Sequence, residues 1–164
     1  MIRKCRDTDL SEIWGIINDS AQAYRGVIPD DCWHDPYMAM DELKAEKEAG
    51  VVFWGWEEGD VLQGVMGIQD KGDVALIRHF YVRTSRRNQG IGNRLLRFVE
   101  SSTAKPILIG TWAKALWAIA FYERNGYRLL KTGEKDRLLG TYWTIPDRQR
   151  ETSVVLAHAR WRHQ

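Results

Sequence analysis

The segment RRNQGIG, from Arg86 to Gly92, places two arginines, two amides and two glycines between apolar stretches. The upstream stretch VALIRHFYV is typical of a strand, and the downstream stretch NRLLRFVE is typical of a helix. A strand that leads through glycines into a helix N-terminus directs several backbone N–H groups at one point, which favours an anion there. Gly90 and Gly92 have no Cβ atom, so a phosphate can approach their backbone closely. The arginines can add charge-assisted hydrogen bonds.

Two well-known phosphate loops do not fit this segment. The dinucleotide-binding pattern G-x-G-x-x-G needs a third glycine where Leu95 stands, and the preceding strands are joined by tight turns instead of crossover helices. The P-loop needs a Gly-Lys-Ser or Gly-Lys-Thr step, which is absent. The remaining pattern is Arg-x-x-Gly-x-Gly, made by Arg87, Gly90 and Gly92. Many turns before helices carry glycines without binding an anion, so the segment alone leaves both interpretations open.

The length and net charge of the chain argue against several classes of function. The chain has 164 residues and a net charge of +2, from 24 basic and 22 acidic residues, and 44% of its residues are hydrophobic. We expect one globular domain over 1–164 that binds neither nucleic acid nor membrane. The first residues lack an apolar signal-peptide core, and two cysteines, Cys5 and Cys32, are too few for a disulfide framework or metal cluster. These features predict a cytoplasmic protein with no metal.

Periodicity predicts the elements that precede the loop. IRKCR is typical of a first strand. Asp9 precedes an apolar stripe at helical spacing, and Glu12 three residues later resembles the second half of a capping box, so we expect a helix to begin here. Asp35 and Pro36 predict the N-cap and first position of a second helix, which would run through YMAMDELKAEKEA and end at Gly50.

The rest of the chain alternates strands and helices. Three strands joined by the short turns EEGD and DKGD are predicted to be antiparallel neighbours, namely VVFWGW, VLQGVMGIQ and VALIRHFYV. After RRNQGIG we expect the helix IGNRLLRFVESS, the strand PILIGTW, the helix ALWAIAFYERNG, the strand YRLLK, a polar and aromatic loop, and the last strand TSVVLAH. The order β-α-α-β-β-β-α-β-α-β-β predicts an α/β fold with a mixed α+β sheet and helices on both faces.

A second motif, AFYERNGY at residues 120–127, joins an aromatic pair to a Gly-aromatic step. This motif, RRNQGIG and the element order together resemble the GNAT N-acetyltransferases, whose acetyl-CoA loop is Arg/Gln-x-x-Gly-x-Gly/Ala after the fourth strand. The segments INDSAQAYRGVIP and YWTIPDRQRETSVVL are similar to bacterial members of the phosphinothricin acetyltransferase-like branch. The resemblance implies transfer of an acetyl group from acetyl-CoA, a co-substrate, to the amine of a small, amino-acid-like molecule.

The resemblance also assigns roles to residues. It places the pyrophosphate at the loop and the pantetheine arm along the backbone of Phe80 and Val82, where the family's fourth and fifth strands splay apart. Tyr122 matches the tyrosine near the cofactor sulfur and would protonate the leaving thiolate; its alternative is a core aromatic, the role that we expect for Phe121. Many relatives carry asparagine where Ala115 stands, and alanine cannot make that side-chain hydrogen bond. The implied cofactor-binding residues are Phe80, Val82, Arg87, Asn88, Gln89, Gly90, Ile91, Gly92 and Ala115.

The sequence offers several candidates for the general base and for the site that binds the acceptor amine. We expect a water relay as the base, with His79 as an alternative that strand alternation places on the opposite face from Arg78. His34 is a similar alternative, and His158 and His163 read as surface or structural residues. The acceptor amine is predicted to lie at Tyr24, Trp33, Arg78 and Trp143, with Arg25, Tyr37, Tyr142 and Arg148 nearby; each aromatic can instead serve only in packing.

Two other functions stay open. Acetylation of a protein N-terminus or lysine uses the same chemistry but needs an open groove, whereas the bulky loop residues favour a closed pocket. A non-catalytic acetyl-CoA-binding module would bind the cofactor without turnover, and Ala115 is the feature that supports it. The sequence leaves the acceptor and the formation of a homodimer undetermined.

Overall fold

The computed structural model describes residues 1–162, which form two compact units. The first unit comprises Met1–Ala23, His34–Asp70 and Ile77–Ala104, and the second comprises Tyr24–Trp33, Lys71–Leu76 and the chain from Lys105 onward. The assignment of 1–164 to a single domain stays a prediction. None of the helices in the described part of the chain has the length and apolar character needed to cross a membrane.

The first unit consists of four strands and three helices. Its elements are β1 (Ile2–Lys4), α1 (Leu10–Ala21), α2 (Met40–Glu48), β2 (Val51–Glu58), β3 (Val61–Asp70), β4 (Ala75–Val82, whose first two residues belong to the second unit) and α3 (Ile91–Ser101). The strands lie in the order β1-β2-β3-β4, and β2 is antiparallel to both β1 and β3. The predicted hairpin of the first two long strands is therefore confirmed.

Side-chain alternation along β2 explains why helices cover both faces of this unit. Val51 and Phe53 lie in a buried cluster with α1 and α2 residues such as Ile13. Trp54 points to the other face, where its ring contacts Phe98 of α3 at 4.8 Å between centroids. Because successive side chains of a strand point to opposite faces, one amphipathic strand organises both helical layers.

A glycine lets α3 approach the sheet closely. A Cβ atom at Gly64 of β3 would lie 3.1 Å from Ile91 and 3.4 Å from Leu95, both on α3. Such distances are tighter than ordinary van der Waals contact, so a larger residue would push the helix away. The pairing of β2 with β3 shifts register just before Gly64, between Trp56 and Glu57. The N-terminus of α3, where the predicted anion loop ends, is therefore held firmly over β3.

The second unit contains three strands and three helices. They are β5 (Ile107–Trp112), α4 (Leu116–Arg124), β6 (Arg128–Leu129), α5 (Thr132–Tyr142), α6 (Asp147–Glu151) and β7 (Ser153–Ala157). The last strand, β7, lies between β5 and β6 and is antiparallel to both. The buried side chains of this unit come mainly from β5, α5 and β7. The fold class is the predicted α/β class, with seven strands within residues 1–162.

The segment predicted to be a polar and aromatic loop before the last strand folds instead as α5 and α6. Leu138 and Leu139 of α5 are almost completely buried. The Lys135 ammonium, also buried, donates a 2.9 Å hydrogen bond to the carbonyl of Arg150 in α6. The two adjacent leucines and the aliphatic part of Lys135 form the buried face of α5. Because the residues around them are polar, the sequence pattern did not indicate a helix here.

The predicted cap of α1 and the predicted start of α2 need correction. Helix α1 begins at Leu10 as expected, but Asp9 makes no capping bond, because its carboxylate binds the Arg3 guanidinium at 2.7 Å and the Arg6 N–H at 2.6 Å. Glu12 does not complete a capping box either, since it accepts the N–H of Leu62.

Helix α2 begins at Met40, with Ala39 as its N-cap, and not at Asp35 and Pro36. The backbone of Met38 is bound to α1, because its N–H donates to Asn18 Oδ1 at 2.9 Å and its carbonyl accepts the indole N–H of Trp14 at 2.8 Å. These bonds engage the backbone just before the helix, so the helix cannot extend further toward its N-terminus.

The ion pairs of Asp9 predict an acid-sensitive first unit. The hydrogen bond from Arg3 lowers the pKa of Asp9 to about 2, despite an opposing effect of burial. Since an unfolded aspartate titrates near pH 3.9, the unfolded chain binds the proton first, and the free energy of unfolding should fall as pH drops from about 5 toward 2. Asp9→Asn should remove much of this pH dependence and lower the free energy of unfolding by about 1–3 kcal/mol at pH 7, because Arg3 loses a buried partner.

Urea denaturation at several pH values measures both effects. Asp7→Asn is the matched control, because Asp7 pairs with Lys47 at 2.8 Å but has a fully exposed side chain. We expect little change at neutral pH in the control. Equal stabilities of the two variants would contradict the assignment of Asp9.

Candidate active site

The loop from β4 to α3 presents backbone donors at a helix N-terminus. Gly90 is the N-cap of α3 with φ +81°, and no side chain caps this end. A Cβ atom at Gly90 would meet no atom within 4 Å, so the space beside this residue is open. The first N–H groups of a helix have no intrahelical acceptor, and the helix dipole makes this end partly positive. The loop can therefore bind an anion, as its sequence predicts.

Three contacts with α1 and β3 hold the start of the loop. Asp19 accepts the backbone N–H of Thr84 at 2.8 Å and its hydroxyl at 2.9 Å. The guanidinium of Arg83 donates to the carbonyl of Leu62 at 2.7 Å. Arg87, although exposed, donates to the carbonyl of Ser20 at 3.1 Å in the last turn of α1, where a cation is favoured. The start of the loop is therefore held by α1 on one side and by β3 on the other.

Arg86 connects the loop to β2. One terminal guanidinium nitrogen of Arg86 forms a short ion pair with Glu58, the last residue of β2. Its Nε donates to the side-chain oxygen of Gln89 at 3.0 Å. The other carboxylate oxygen of Glu58 accepts the indole N–H of Trp56 at 2.8 Å. Four side chains therefore form one continuous chain of hydrogen bonds that ends beside Gly90.

The backbone of β4 departs from extended geometry at His79, and this irregularity is called the bulge below. His79 has φ +55°, a left-handed conformation that is uncommon for residues other than glycine. A Cβ atom at Gly67 of β3 would lie 2.5 Å from the carbonyl oxygen of Arg78, so only glycine leaves room for the bulged backbone. A bulge turns a side chain away from the face that strand alternation would give it.

The bulge overturns the expectation that Arg78 and His79 lie on opposite faces. Both side chains bind the carboxylate of Glu46 on α2, Arg78 at 3.1 Å and His79 at 3.1 Å. Arg78 also donates to Gln69 at 3.1 Å, and His79 stacks on Phe53. Arg78, expected to bind the acceptor, and His79, the alternative base, thus belong to one polar network in the first unit.

Phe80 and Val82 follow the bulge at the end of β4, and both are half-buried. The methyl groups of Val82 lie beside Gly64, at 3.3 Å from the position of a Cβ atom there. Their assignment to the pantetheine arm concerns backbone atoms and stays a prediction.

Tyr122 is buried in the second unit, on the inner face of α4. Its side chain packs edge-on against Tyr127, with 5.9 Å between the ring centroids. Burial raises the pKa of the Tyr122 hydroxyl well above its ordinary value, and Tyr24 adds a smaller effect in the same direction. The hydroxyl therefore keeps its proton throughout the physiological pH range and can only donate it or share it.

Helical phase determines which residues of α4 are buried. Ala115, Ala118 and Tyr122 share one face and are at most 8% exposed. Phe121, expected in the core, is only half-buried, because it lies to the side of this face. The two alanines leave a face of small side chains beside Tyr122.

Ala115 is the N-cap of α4 and makes no side-chain capping bond. Asparagine is among the preferred N-cap residues, since its side-chain oxygen accepts a backbone N–H of the first turn. The departure from the family pattern at this position therefore removes a helix cap.

The two predicted acceptor loops meet within the second unit. Arg148 of α6 forms a 2.8 Å ion pair with Asp31, in the loop 24–33. In the same loop, Arg25 lies over the ring of Trp33 at 5.3 Å from its centroid. Tyr24 contacts the ring of Trp117 on α4, with 5.0 Å between centroids. Loop 24–33 is therefore tied to α4 and α6.

The other candidate residues differ in their surroundings. Trp143 covers Gly110 of β5, where a Cβ atom would lie 3.3 Å from its ring. Tyr142 lies at the edge of the second unit's core, and Tyr37 packs in the first unit. His158 contacts the ring of Tyr127, a structural role, and His34 is exposed. His163 lies outside the described residues. Within residues 1–162, no three His, Cys, Asp or Glu side chains cluster as metal ligands would.

Sequence reasoning missed the partners of the site residues. Glu46 joins Arg78 to His79, and Glu58 joins Arg86 to Trp56. The alternation of Trp54, Trp56 and Glu58 along β2 could have placed Glu58 on the face of α3. No comparable pattern marks Glu46.

The family model described as acetyltransferase (GNAT) domain matches residues 48–129, which include β2, the loop and α4. The chain belongs to the GNAT acetyltransferase family, and this membership makes it an N-acetyltransferase. No curated protein matches the sequence.

Several solved structures share the fold at low sequence identity. An N-acetyltransferase called PaiA from Thermoplasma acidophilum, in complex with coenzyme A, has a TM-score of 0.72 and 16% identity over 96% of this chain and 97% of its own. The ribosomal-protein-S18-alanine N-acetyltransferase from Escherichia coli has a TM-score of 0.68 and 14% identity, and the match covers 100% of this chain and 96% of its own. An aminoglycoside 6′-acetyltransferase of type Ii has a TM-score of 0.66 and 17% identity, and the match covers 100% of this chain and 99% of its own.

Proposed function

We propose that the protein transfers an acetyl group from acetyl-CoA to the amine of a small, amino-acid-like molecule, without a metal, in the cytoplasm of a bacterium. The observation that carries the acetyl-CoA assignment is the open N-terminus of α3 at Gly90. Membership of the GNAT family and the likeness to a structure that holds coenzyme A support it.

The pyrophosphate would bind at the loop. The backbone N–H groups of Gly90, Ile91 and Gly92 would donate to its oxygens, as helix N-termini do for phosphates. Asn88 also has a left-handed backbone, φ +61°, and lies two residues before Gly90. Alternating backbone conformations of this kind form concave groups of N–H donors for anions. Arg87 would add charge while it stays bound to Ser20.

The thioester supplies an activated acetyl group, and the protein has to manage two protons. The acceptor amine must lose one, since an amine with a pKa near 10.4 is mostly charged at neutral pH. We assign this step to water, with the His79 and Glu46 pair as the alternative route. The departing sulfur gains a hydrogen bond from the Tyr122 hydroxyl, because burial raises the pKa of this group and favours its protonated form, and the proton released by the amine completes the thiol.

The acceptor would lie at loop 24–33. This loop carries Tyr24 and Trp33, and its aromatic rings would cover the apolar part of a small amine. Arg25 beside Trp33 offers a cation for a carboxylate or phosphinate of the acceptor. Trp143 of the same unit belongs to the proposed substrate-binding set, although it covers Gly110. Arg78, which pairs with Glu46 in the first unit, stays a prediction from the sequence.

Gly90→Val tests the loop. A branched side chain would occupy the approach of the phosphates, so we expect acetyl-CoA binding to weaken about 100-fold or more in calorimetric titration. Gly50→Val is the matched control, because Gly50 also has a positive φ, +100°, with no atom within 4 Å of a Cβ. Both variants carry similar backbone strain, and only Gly90→Val should lose affinity. Unchanged affinity in Gly90→Val would rule out the loop as the pyrophosphate site.

Tyr122→Phe tests the proton donor. We expect kcat to fall by about 10²–10⁴-fold with little change in acetyl-CoA affinity, because only a hydroxyl is removed. Tyr127→Phe is the control, since Tyr127 is a buried neighbour of Tyr122 on the same ring cluster. An unchanged kcat in Tyr122→Phe would show that Tyr122 serves only in packing.

A competition assay tests the acceptor class. We expect the amino-acid analogue phosphinothricin to be acetylated faster than spermidine, whose several positive charges the arginines of the acceptor loops would repel. A peptide with an N-terminal alanine serves as the third substrate. Faster turnover of spermidine would contradict the proposed acceptor site, and faster turnover of the peptide would favour a protein N-terminal acetyltransferase.

A further inference from the structure

The chain of hydrogen bonds that ends beside Gly90 is anchored at Glu58, and this residue lies outside the loop. Both of its carboxylate oxygens are engaged: one accepts the indole N–H of Trp56 at 2.8 Å, and the other pairs with the Arg86 guanidinium. Arg94, in the first turns of α3, lies over the Trp56 ring at 5.0 Å from its centroid. Glu58 is therefore held between the end of β2 and the start of α3.

Gln89 is the last member of this chain and the one nearest the proposed anion site. Its side-chain oxygen accepts the Nε–H of Arg86 at 3.0 Å. A side-chain amide has one acceptor end and one donor end, and the N–H of Arg86, which can only donate, has to face the acceptor end. Arg86 thereby fixes which end of the amide it faces and leaves the two N–H donors of Gln89 for a ligand.

We propose that Glu58 is a positioning residue for the pyrophosphate of acetyl-CoA: it fixes Arg86, and Arg86 fixes the amide of Gln89 as a donor beside Gly90. The inference rests on the proposed function of the loop. It adds a negatively charged residue to an anion site, where its charge alone would weaken binding.

The two effects of Glu58 have opposite signs, so they can be separated. Direct repulsion of a phosphate by Glu58 is weakened because its side chain is 40% exposed and its charge is paired with Arg86. Ordering of Arg86 and Gln89 acts through contacts at hydrogen-bond distance, which solvent and salt weaken less than a repulsion over a longer distance. Positioning therefore outweighs repulsion, and removal of the carboxylate weakens binding.

Glu58→Gln is the informative variant. Trp56 and Arg86 bind different oxygens of Glu58, and a glutamine replaces one of these acceptors with an NH2 donor while its size is unchanged. We expect the Kd for acetyl-CoA in calorimetric titration to rise about three- to tenfold, as for the loss of one ordering hydrogen bond. Arg86→Ala and Gln89→Ala should each raise it as well. In the Arg86→Ala background, Glu58→Gln should have no further weakening effect, because Glu58 acts through Arg86.

Glu57→Gln is the matched control. Glu57 precedes Glu58 on β2 and pairs with Arg3 at 2.5 Å, away from the loop. The Glu57→Gln substitution removes the same charge from the same strand. The Kd of this variant for acetyl-CoA should equal that of the wild type. Thermal melting of all variants reports any shared loss of stability.

A ligand without phosphates separates positioning from a general structural role. Binding of S-acetyl-pantetheine, followed by NMR, should be the same in Glu58→Gln and wild type, because this ligand has no pyrophosphate. Wild-type protein that does not bind acetyl-CoA would contradict the proposed function itself. Wild-type protein that binds acetyl-CoA, with equal or tighter binding by Glu58→Gln, would overturn this inference alone. Equal weakening for both ligands would also overturn it.

Discussion

The first N–H groups of α3 are the constraint on which this site depends. They have no acceptor within their helix, and Gly90, with φ +81°, brings the chain into the helix without a side-chain cap. Such donors need a partner from water or a ligand, and a doubly charged pyrophosphate satisfies several at once. The surrounding residues hold the donors in place: Asp19 and Ser20 from α1, and Glu58 from β2. The glycine of β3 at position 64 lets the same helix sit closely on the sheet.

A second constraint shapes β4. The bulge at His79 requires glycine at position 67 of the neighbouring strand, because the carbonyl of Arg78 occupies the space of a Cβ atom. As a consequence, Arg78 and His79 both face Glu46 and form a charged network with Gln69. A polar network of this kind is costly if one member is removed, so it fixes the bulge as well as the side chains. Backbone geometry and side-chain chemistry therefore depend on each other along this strand.

The sequence predicted the features that arise from local pattern. The glycine loop, the start of α1 at Leu10 and the long strands follow from periodicity and from backbone chemistry within a few residues. The errors have a common cause: distant residues compete for the same groups. Asp9 binds Arg3 instead of capping α1, and the backbone of Met38, inside the predicted second helix, is bound to α1. The roles of Glu46 and Glu58 depend on strand pairing and on the bulge, which no local pattern contains.

We propose that the amides at the N-terminus of α3 bind the phosphates of acetyl-CoA. A ¹H–¹⁵N NMR titration of the isotope-labelled protein with acetyl-CoA, with assigned resonances for residues 88–93, tests this directly. We expect the amide signals of Gly90, Ile91 and Gly92 to shift strongly downfield in proportion to occupancy, because N–H groups that gain an anionic acceptor shift in this direction. Saturation with acetyl-CoA while these three signals stay in place would contradict it.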